Sequence, residues 1–253
     1  MDDLKFWIDG PISHMRICRE DKGNSLSIPL IEEMLRRMDE IRENDSLISL
    51  CISSEGDRVF CSGADLSGRG ISIEKGSSLY KELLERLTNM PLFVICKVNG
   101  ICLAGGLGII LASDMVISRD DIYFALPELN VGLFPMMVSA FMKRDLLWKK
   151  AMDMLFTGRK VYAREAEAMG IVSRVVPKEK LDSEVEDVLN SLKEKAPLGI
   201  RYGKEAINRL KGSDFSSELE MLRVSLLRLF NTEDAKEGVR AFMEKRKPRF
   251  LGR

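Results

Sequence analysis

The sequence predicts an α/β core followed by a helical C-terminal stretch, and three observations carry that reading. Short apolar or alternating runs, bounded by Gly, Pro, Asp or Ser, recur between residues 4 and 125. Runs with helical spacing fall between them, so that a strand–strand–helix order repeats about three times up to about residue 125. After Phe134 the helical spacing dominates almost to the end of the chain.

Taken in order, Leu4–Ile8 and His14–Cys18 form a hairpin across Asp9-Gly10-Pro11. Ser27 caps a helix with Pro29 in its first turn and Leu30, Met34, Leu35, Met38 and Ile41 on one face. Leu47–Ile52 and Arg58–Phe60 read as short strands. Ser78 is expected to cap a helix carrying Leu79, Leu83, Leu84 and Leu87, which Pro91 closes. Leu92–Val98 reads as a strand and Ala104–Ala112 as a buried helix, with Met115–Ser118 and Tyr123–Ala125 again strands. Met136–Arg144, Leu147–Phe156 and Ala163–Met169 read as helices, and Ile171–Val176 as a last strand. Four amphipathic helices follow between Lys178 and Lys247. The division expected is a core over 1–195 and a helical region over 196–253. Met136, Met137, Met142, Met152 and Met154 cluster here and read as core filling, with a soft acyl-binding wall as the alternative.

Composition narrows the function. Of 253 residues, 45% are hydrophobic and 31% charged, which excludes a disordered chain. The 39 Lys and Arg balance the 39 Asp and Glu, so nucleic acid is not the expected partner. Five cysteines without a C-x-x-C pair, and His14 as the one histidine, argue against a zinc site, a disulfide framework or a histidine-based triad. The same cysteine use fits a reducing, cytoplasmic compartment, and the acidic start Met1–Lys5 lacks a targeting pattern. The apolar window Leu92–Ala112 holds Lys97, Asn99 and four glycines, so it reads as strand, loop and helix rather than a membrane span. His14 lies on the polar phase of its strand and reads as structural.

Two glycine-bearing turns stand out: Phe60-Cys61-Ser62-Gly63-Ala64-Asp65-Leu66, and Val98-Asn99-Gly100 running into Ala104-Gly105-Gly106-Leu107-Gly108. Neither is a dinucleotide fingerprint or a P-loop. Two such turns converging would aim two backbone N–H groups at one carbonyl oxygen, an oxyanion hole; alternatively the glycines serve tight packing. Glu128, in an apolar run after Pro127, is either a buried acid/base or a partly exposed loop residue.

Together these features resemble the crotonase family, the enoyl-CoA hydratase/isomerase superfamily. The resemblance runs from about Leu4 to Arg253 and is carried by F-x-x-G-x-D-L at 60–66, V-N-G-x-x-x-x-G-G at 98–106 and P-E-x-x-x-G at 127–132. Leu155–Gly158, Ala166–Val172 and Glu237–Arg246 agree further. The resemblance implies a spiral of ββα repeats, a C-terminal helical trimerisation region, a homotrimer or dimer of trimers, and an acyl-CoA thioester as substrate, with no metal and no separate cofactor. It implies that the N–H groups of Ala64 and Gly105 hold the thioester carbonyl and that Glu128 moves the proton. It assigns substrate binding to Lys22, Gly23, Asn24, Ser25, Ser62, Asp65, Leu66 and Gly106, and to Phe242 and Lys245 reaching from a neighbouring subunit. Asp65 reads mainly as the anchor of its own turn.

One departure matters. Many hydratases of this family carry a second glutamate three residues after the oxyanion glycine, where this chain has Gly108. A lone glutamate is the pattern of Δ3,Δ2-enoyl-CoA isomerases and of some relatives called hydratases. The expected activity is hydration of a 2-enoyl-CoA, with isomerisation as the alternative and a catalytically silent acyl-CoA-binding subunit as the alternative of another class. A dehalogenase, which part of the Leu107–Asp114 stretch suggests, would need an aspartate nucleophile where this chain has Met136.

Overall fold

The computed structural model describes residues 3–65, 72–193, 200, 201, 203, 204, 208, 215–246 and 248. Among the described residues ten strands form two sheets. The larger joins β1 (Leu4–Asp9), β2 (Ile12–Ile17), β3 (Ser49–Ser54), β5 (Phe93–Val98), β7 (Met115–Arg119) and β10 (Arg174–Val176) in that order. The smaller joins β4 (Val59–Cys61), β6 (Ile101–Leu103), β8 (Tyr123–Ala125) and β9 (Val161–Tyr162). Only the hairpin β1–β2 and the pair β8–β9 are antiparallel.

The topology is a spiral. β3, β5 and β7 lie side by side in one sheet, and the strands that follow them, β4, β6 and β8, lie side by side in the other. Each turn of the chain thus steps one strand along both sheets, and a helix brings it back. The helices are α1 (Ile28–Glu43), α2 (Ile73–Thr88) and α3 (Gly105–Ala112).

Strand alternation sorts the core. Met15, Leu50, Ile52, Val94 and Cys96 join α1, α2 and α3 on one side of the large sheet. Ile12, Cys51, Ile95 and Ile117 point the other way and meet Leu181, Val185, Val188 and Leu189 of α7 (Leu181–Lys193). Both faces are therefore covered, and every residue of β3 is buried. His14 is half-buried on this second side, stacked on Trp7 with ring centroids 4.7 Å apart, and burial lowers its pKa.

The expected elements largely appear, with instructive shifts. α1 begins as expected, with the Ser27 hydroxyl accepting the Leu30 N–H at 3.3 Å. α2 does not start at Ser78: it starts at Ile73, where the Ser72 side chain accepts the Lys75 N–H at 3.1 Å. Gly76, Ser77 and Ser78 are poor helix formers, but they lie inside the helix, where packing of the later leucines overrides propensity. The strand expected at Ile171–Val176 is only Arg174–Val176, since Ile171 and Val172 are spent on packing. Between Gly100 and Ala104, where the sequence suggests only a glycine loop, the chain forms β6.

α3 is buried from Gly106 to Ala112, an all-round apolar helix inside the protein. Among the described residues no helix is long and apolar enough to cross a membrane. Helices α4 (Met136–Asp145), α5 (Trp148–Thr157) and α6 (Ala163–Met169) follow. Met137, Met142 and Met154 fill the core, whereas Met136 and Met152 are half-buried. Beyond α7, residues 194–199 and most of 202–214 lie outside the described residues, and with them most of one of the four expected C-terminal helices, of which the described residues 200, 201, 203, 204 and 208 are helical. Then α8 (Phe215–Phe230) packs on α2 and α4, burying Leu219 in the main core. The last helix, α9 (Glu233–Met243), is capped by Thr232 and seats on a short 3-10 turn, Pro127–Val131.

Candidate active site

The two glycine turns meet. β4 ends at Cys61, and Gly63, at φ 96°, turns the chain across the start of α3. A side chain at 63 would bring its Cβ to 2.6 Å from the Ala104 Cβ and 3.2 Å from the Gly105 nitrogen. Only glycine lets the turns approach this closely. Ala104 holds φ 49° although it has a side chain, and its N–H is tied to the Ala125 carbonyl at 3.0 Å. That strained residue swings β6 abruptly into α3.

The result is two unpaired donors. Leu26 bridges the first turn: its N–H reaches the Gly63 carbonyl at 2.8 Å, and its carbonyl accepts the Asp65 N–H at 3.0 Å. Ala64, between them, turns its own N–H to the other side. Gly105 is the first residue of α3, where helical N–H groups have no partner within the helix. Among the described residues neither the Ala64 nor the Gly105 N–H meets an acceptor. Two fixed donors, one at a helix N-terminus, suit a developing oxyanion.

Glu128 follows β8 through the buried Leu126 and opens the Pro127–Val131 turn. Gly132, at φ 73°, closes that turn, and the Leu133 N–H returns to the Glu128 carbonyl at 3.0 Å. The residue as a whole is half-buried, but its Oε2 is sealed from solvent and has no hydrogen-bond partner among the described residues. Burial pushes the carboxyl up to about 7, with its own backbone N–H acting weakly the other way. The carboxyl is thus buried rather than an exposed loop group.

Position 108 holds what the sequence did not disclose. Tyr80, on α2, donates its hydroxyl to the Gly105 carbonyl at 2.5 Å. A Cβ added at Gly108 would overlap that hydroxyl oxygen and lie 3.2 Å from Leu84 Cδ2. Burial holds the Tyr80 phenol well above its usual pKa, and Cys61, Glu128 and Cys102 add to this through their charges. The available signal was its place four residues before Leu84 on the apolar side of α2.

The segment expected to line the substrate forms one unit with the first turn. The Ser62 N–H donates to the Gly23 carbonyl at 3.0 Å, and a Cβ at Gly23 (φ 59°) would sit 3.1 Å from Ser62 Oγ. Asn24 is fully buried: its Oδ1 accepts the Arg19 N–H at 2.9 Å, and its Nδ2 donates to the Glu55 and Val59 carbonyls at 3.0 and 2.7 Å. Its side chain therefore serves as scaffold. Ser25 is buried as well, and Lys22 is exposed at the edge of the unit. Arg19, missed in the sequence reading, ties it together, reaching the Ser25 carbonyl at 2.5 Å and Asp65 Oδ2 at 2.9 Å. Asp65 thus anchors the neighbouring loop as well as its own turn. Gly106 is held to glycine by packing, since its Cβ would lie 2.8 Å from the Cys61 Cβ. Leu66 lies outside the described residues. Phe242 and Lys245 are exposed at the end of α9.

A two-sheet spiral with two unpaired N–H groups at converging glycine turns and one buried carboxyl defines the crotonase class. The chain belongs to the enoyl-CoA hydratase/isomerase family, whose profile matches residues 8–253. It is 31% identical to a Thermus thermophilus protein provisionally named as an enoyl-CoA hydratase, over 91% of this chain and 93% of that one. It is 28% identical to the short-chain-enoyl-CoA hydratase of Clostridium acetobutylicum, over 94% of each chain. The crystal structure of an enoyl-CoA hydratase from Mycobacterium avium subsp. paratuberculosis superposes with a TM-score of 0.89 at 25% identity, covering 99% of each chain. Methylmalonyl-CoA decarboxylase shares the fold at 24% identity, with a TM-score of 0.85, covering 100% of this chain and 99% of that one.

Proposed function

We propose that the protein binds an enoyl-CoA thioester and moves a proton between two of its carbons, as a Δ3,Δ2-enoyl-CoA isomerase does. One observation carries this reading: a single sealed carboxyl, Glu128, shares the site with two unpaired N–H groups, while the place of a second carboxylate is a glycine covered by a tyrosine.

The thioester oxygen accepts the Ala64 and Gly105 N–H groups. Glu128, ionised, removes a proton from C2 of a 3-enoyl thioester; the C–H electron pair forms the C1–C2 double bond and the carbonyl π pair moves onto its oxygen, to return and leave a C2–C3 double bond when C4 is protonated. The dienolate is stabilised by the two donors, each worth about 10²–10³ in rate. The neutral Glu128 then returns the proton to C4, and the C2–C3 double bond remains. A carboxyl with a pKa of about 7 is suited to both halves. This chemistry needs no metal or redox cofactor. In the same reading, exposed Lys22 attracts the CoA phosphates, and Phe242 and Lys245 complete the CoA site of a neighbour in a homotrimer or dimer of trimers.

Hydration of a 2-enoyl-CoA is the second reading, favoured by the names of the relatives at 28% and 31% identity. Glu128 would then both activate the water and protonate C2. The experiment is incubation with a 2-enoyl-CoA and, separately, a 3-enoyl-CoA in H₂¹⁸O, with products read by mass spectrometry. Double-bond movement without heavy oxygen supports the isomerase, and ¹⁸O at C3 overturns it in favour of the hydratase. Glu128→Gln that binds acyl-CoA without turnover excludes the silent binding subunit, provided the wild type turns over.

A further inference from the structure

We propose that Tyr80 determines the reaction by holding position 108 empty of side chain and closed to water. This deepens the proposed enolate function and rests on it.

The argument is steric first. Gly105 and Gly108 lie three residues apart on α3 and so present the same face. The Tyr80 hydroxyl covers both. It donates to the Gly105 carbonyl at 2.5 Å, lies 3.4 Å from where a Gly105 Cβ would stand, and overlaps where a Gly108 Cβ would stand. The phenol is not a flexible end that could swing aside. Its ring carbon Cζ would still be 3.1 Å from a Gly108 Cβ, and its hydroxyl is pinned to α3.

The chemical consequence follows. Tyr80 faces the same interior as Glu128, and its donor is already committed to Gly105. It offers no second base, and its hydroxyl fills the place where a water or a side chain at 108 would otherwise sit. The enolate formed over Ala64 and Gly105 then meets one proton carrier, Glu128. Tyr80 is in these terms a specificity-determining residue, not a proton donor.

The test is a double-variant cycle with wild type, Gly108→Glu, Tyr80→Ala and the pair. Gly108→Glu alone forces the phenol off Gly105 and should lower the melting temperature by roughly 5 °C, whereas with Tyr80→Ala the added penalty should largely vanish. The pair, binding acyl-CoA, should raise the ratio of ¹⁸O-labelled to double-bond-shifted product at least about tenfold over wild type. Tyr80→Phe, which keeps the ring and removes the hydroxyl, should raise that ratio roughly two- to tenfold, about what one hydrogen bond is worth. Additive melting shifts would overturn the proposal, and so would a folded, ligand-binding pair or Tyr80→Phe variant whose ratio stays at the wild-type value. Exchange of the C2 protons of a saturated acyl-CoA with D₂O is followed alongside. No exchange by the wild type would sink the enolate reading itself, whereas exchange with an unchanged product ratio sinks only the role of Tyr80.

Discussion

Replacing Glu128 by glutamine should make the protein inactive and, at alkaline pH, more stable. The carboxyl has a pKa of about 7 in the fold against an ordinary value of 4.5. The folded state therefore binds the proton more tightly than the unfolded state. Between these two values the unfolded chain loses the proton while the folded one keeps it, so stability falls as pH rises and levels off above about 7. At 1.36 kcal/mol per unit, the burial of this one charge costs roughly 3 kcal/mol above neutrality. About 2.5 kcal/mol of that accumulates between pH 5 and pH 8. Glutamine has no charge to bury, so this term disappears. In calorimetry the variant's melting temperature relative to wild type should rise by roughly 5 °C from pH 5 to pH 8. The comparison across pH isolates ionisation from whatever the amide does to packing. A difference that stays constant over this range would refute the reasoning, because it would mean that Glu128 does not titrate where a shared acid/base must.

The same carboxyl should place an acid limb on kcat/KM, falling tenfold per pH unit below about 7, which a pH–rate profile will check. Gly63→Ala imposes a side chain at φ 96° and 2.6 Å from the Ala104 Cβ, so kcat should drop about 10²-fold as the two donors separate, in steady-state kinetics. Arg19→Ala removes the guanidinium bonds to Asp65 and the Ser25 carbonyl; denaturation should show a loss of roughly 1.5–3 kcal/mol, and KM should rise as the Lys22 loop loosens. Gly238→Ala would push a methyl into the Val131 carbonyl, lowering both the melting temperature and kcat, because Val131 belongs to the turn that carries Glu128.

Much of this architecture was legible in the chain because its signals are local. Ser27 and Pro29 announce a helix start whatever surrounds them, and Asp9-Gly10-Pro11 announces a reversal. Gly63, Gly105 and Glu128 were legible through spacing and through family resemblance. What escaped depends on contacts between distant segments. Tyr80 meets Gly108 from another helix, and neither residue alone says that one fills the space the other leaves. Arg19 acts on Asp65, 46 residues away. The start of α2 was misplaced because two serines six residues apart can both cap, and only tertiary packing chooses Ser72. Asn24 was expected at the substrate because of its loop; its burial and three hydrogen bonds could not be read from its neighbours.

The seating of α9 on the Pro127–Val131 turn ties the placement of Glu128 to the docking of a separate helix. Gly238 brings helix backbone directly against the Val131 carbonyl, so the turn is clamped only while α9 is docked. A helix as exposed as α9 opens more readily than a fully buried core strand such as β3. Each excursion of α9 would release the turn without disturbing either sheet, and the fraction of molecules competent for turnover would follow the undocking equilibrium rather than global unfolding. Heat or mild denaturant should then abolish activity before the sheets melt, and amide exchange in α9 should track that early loss.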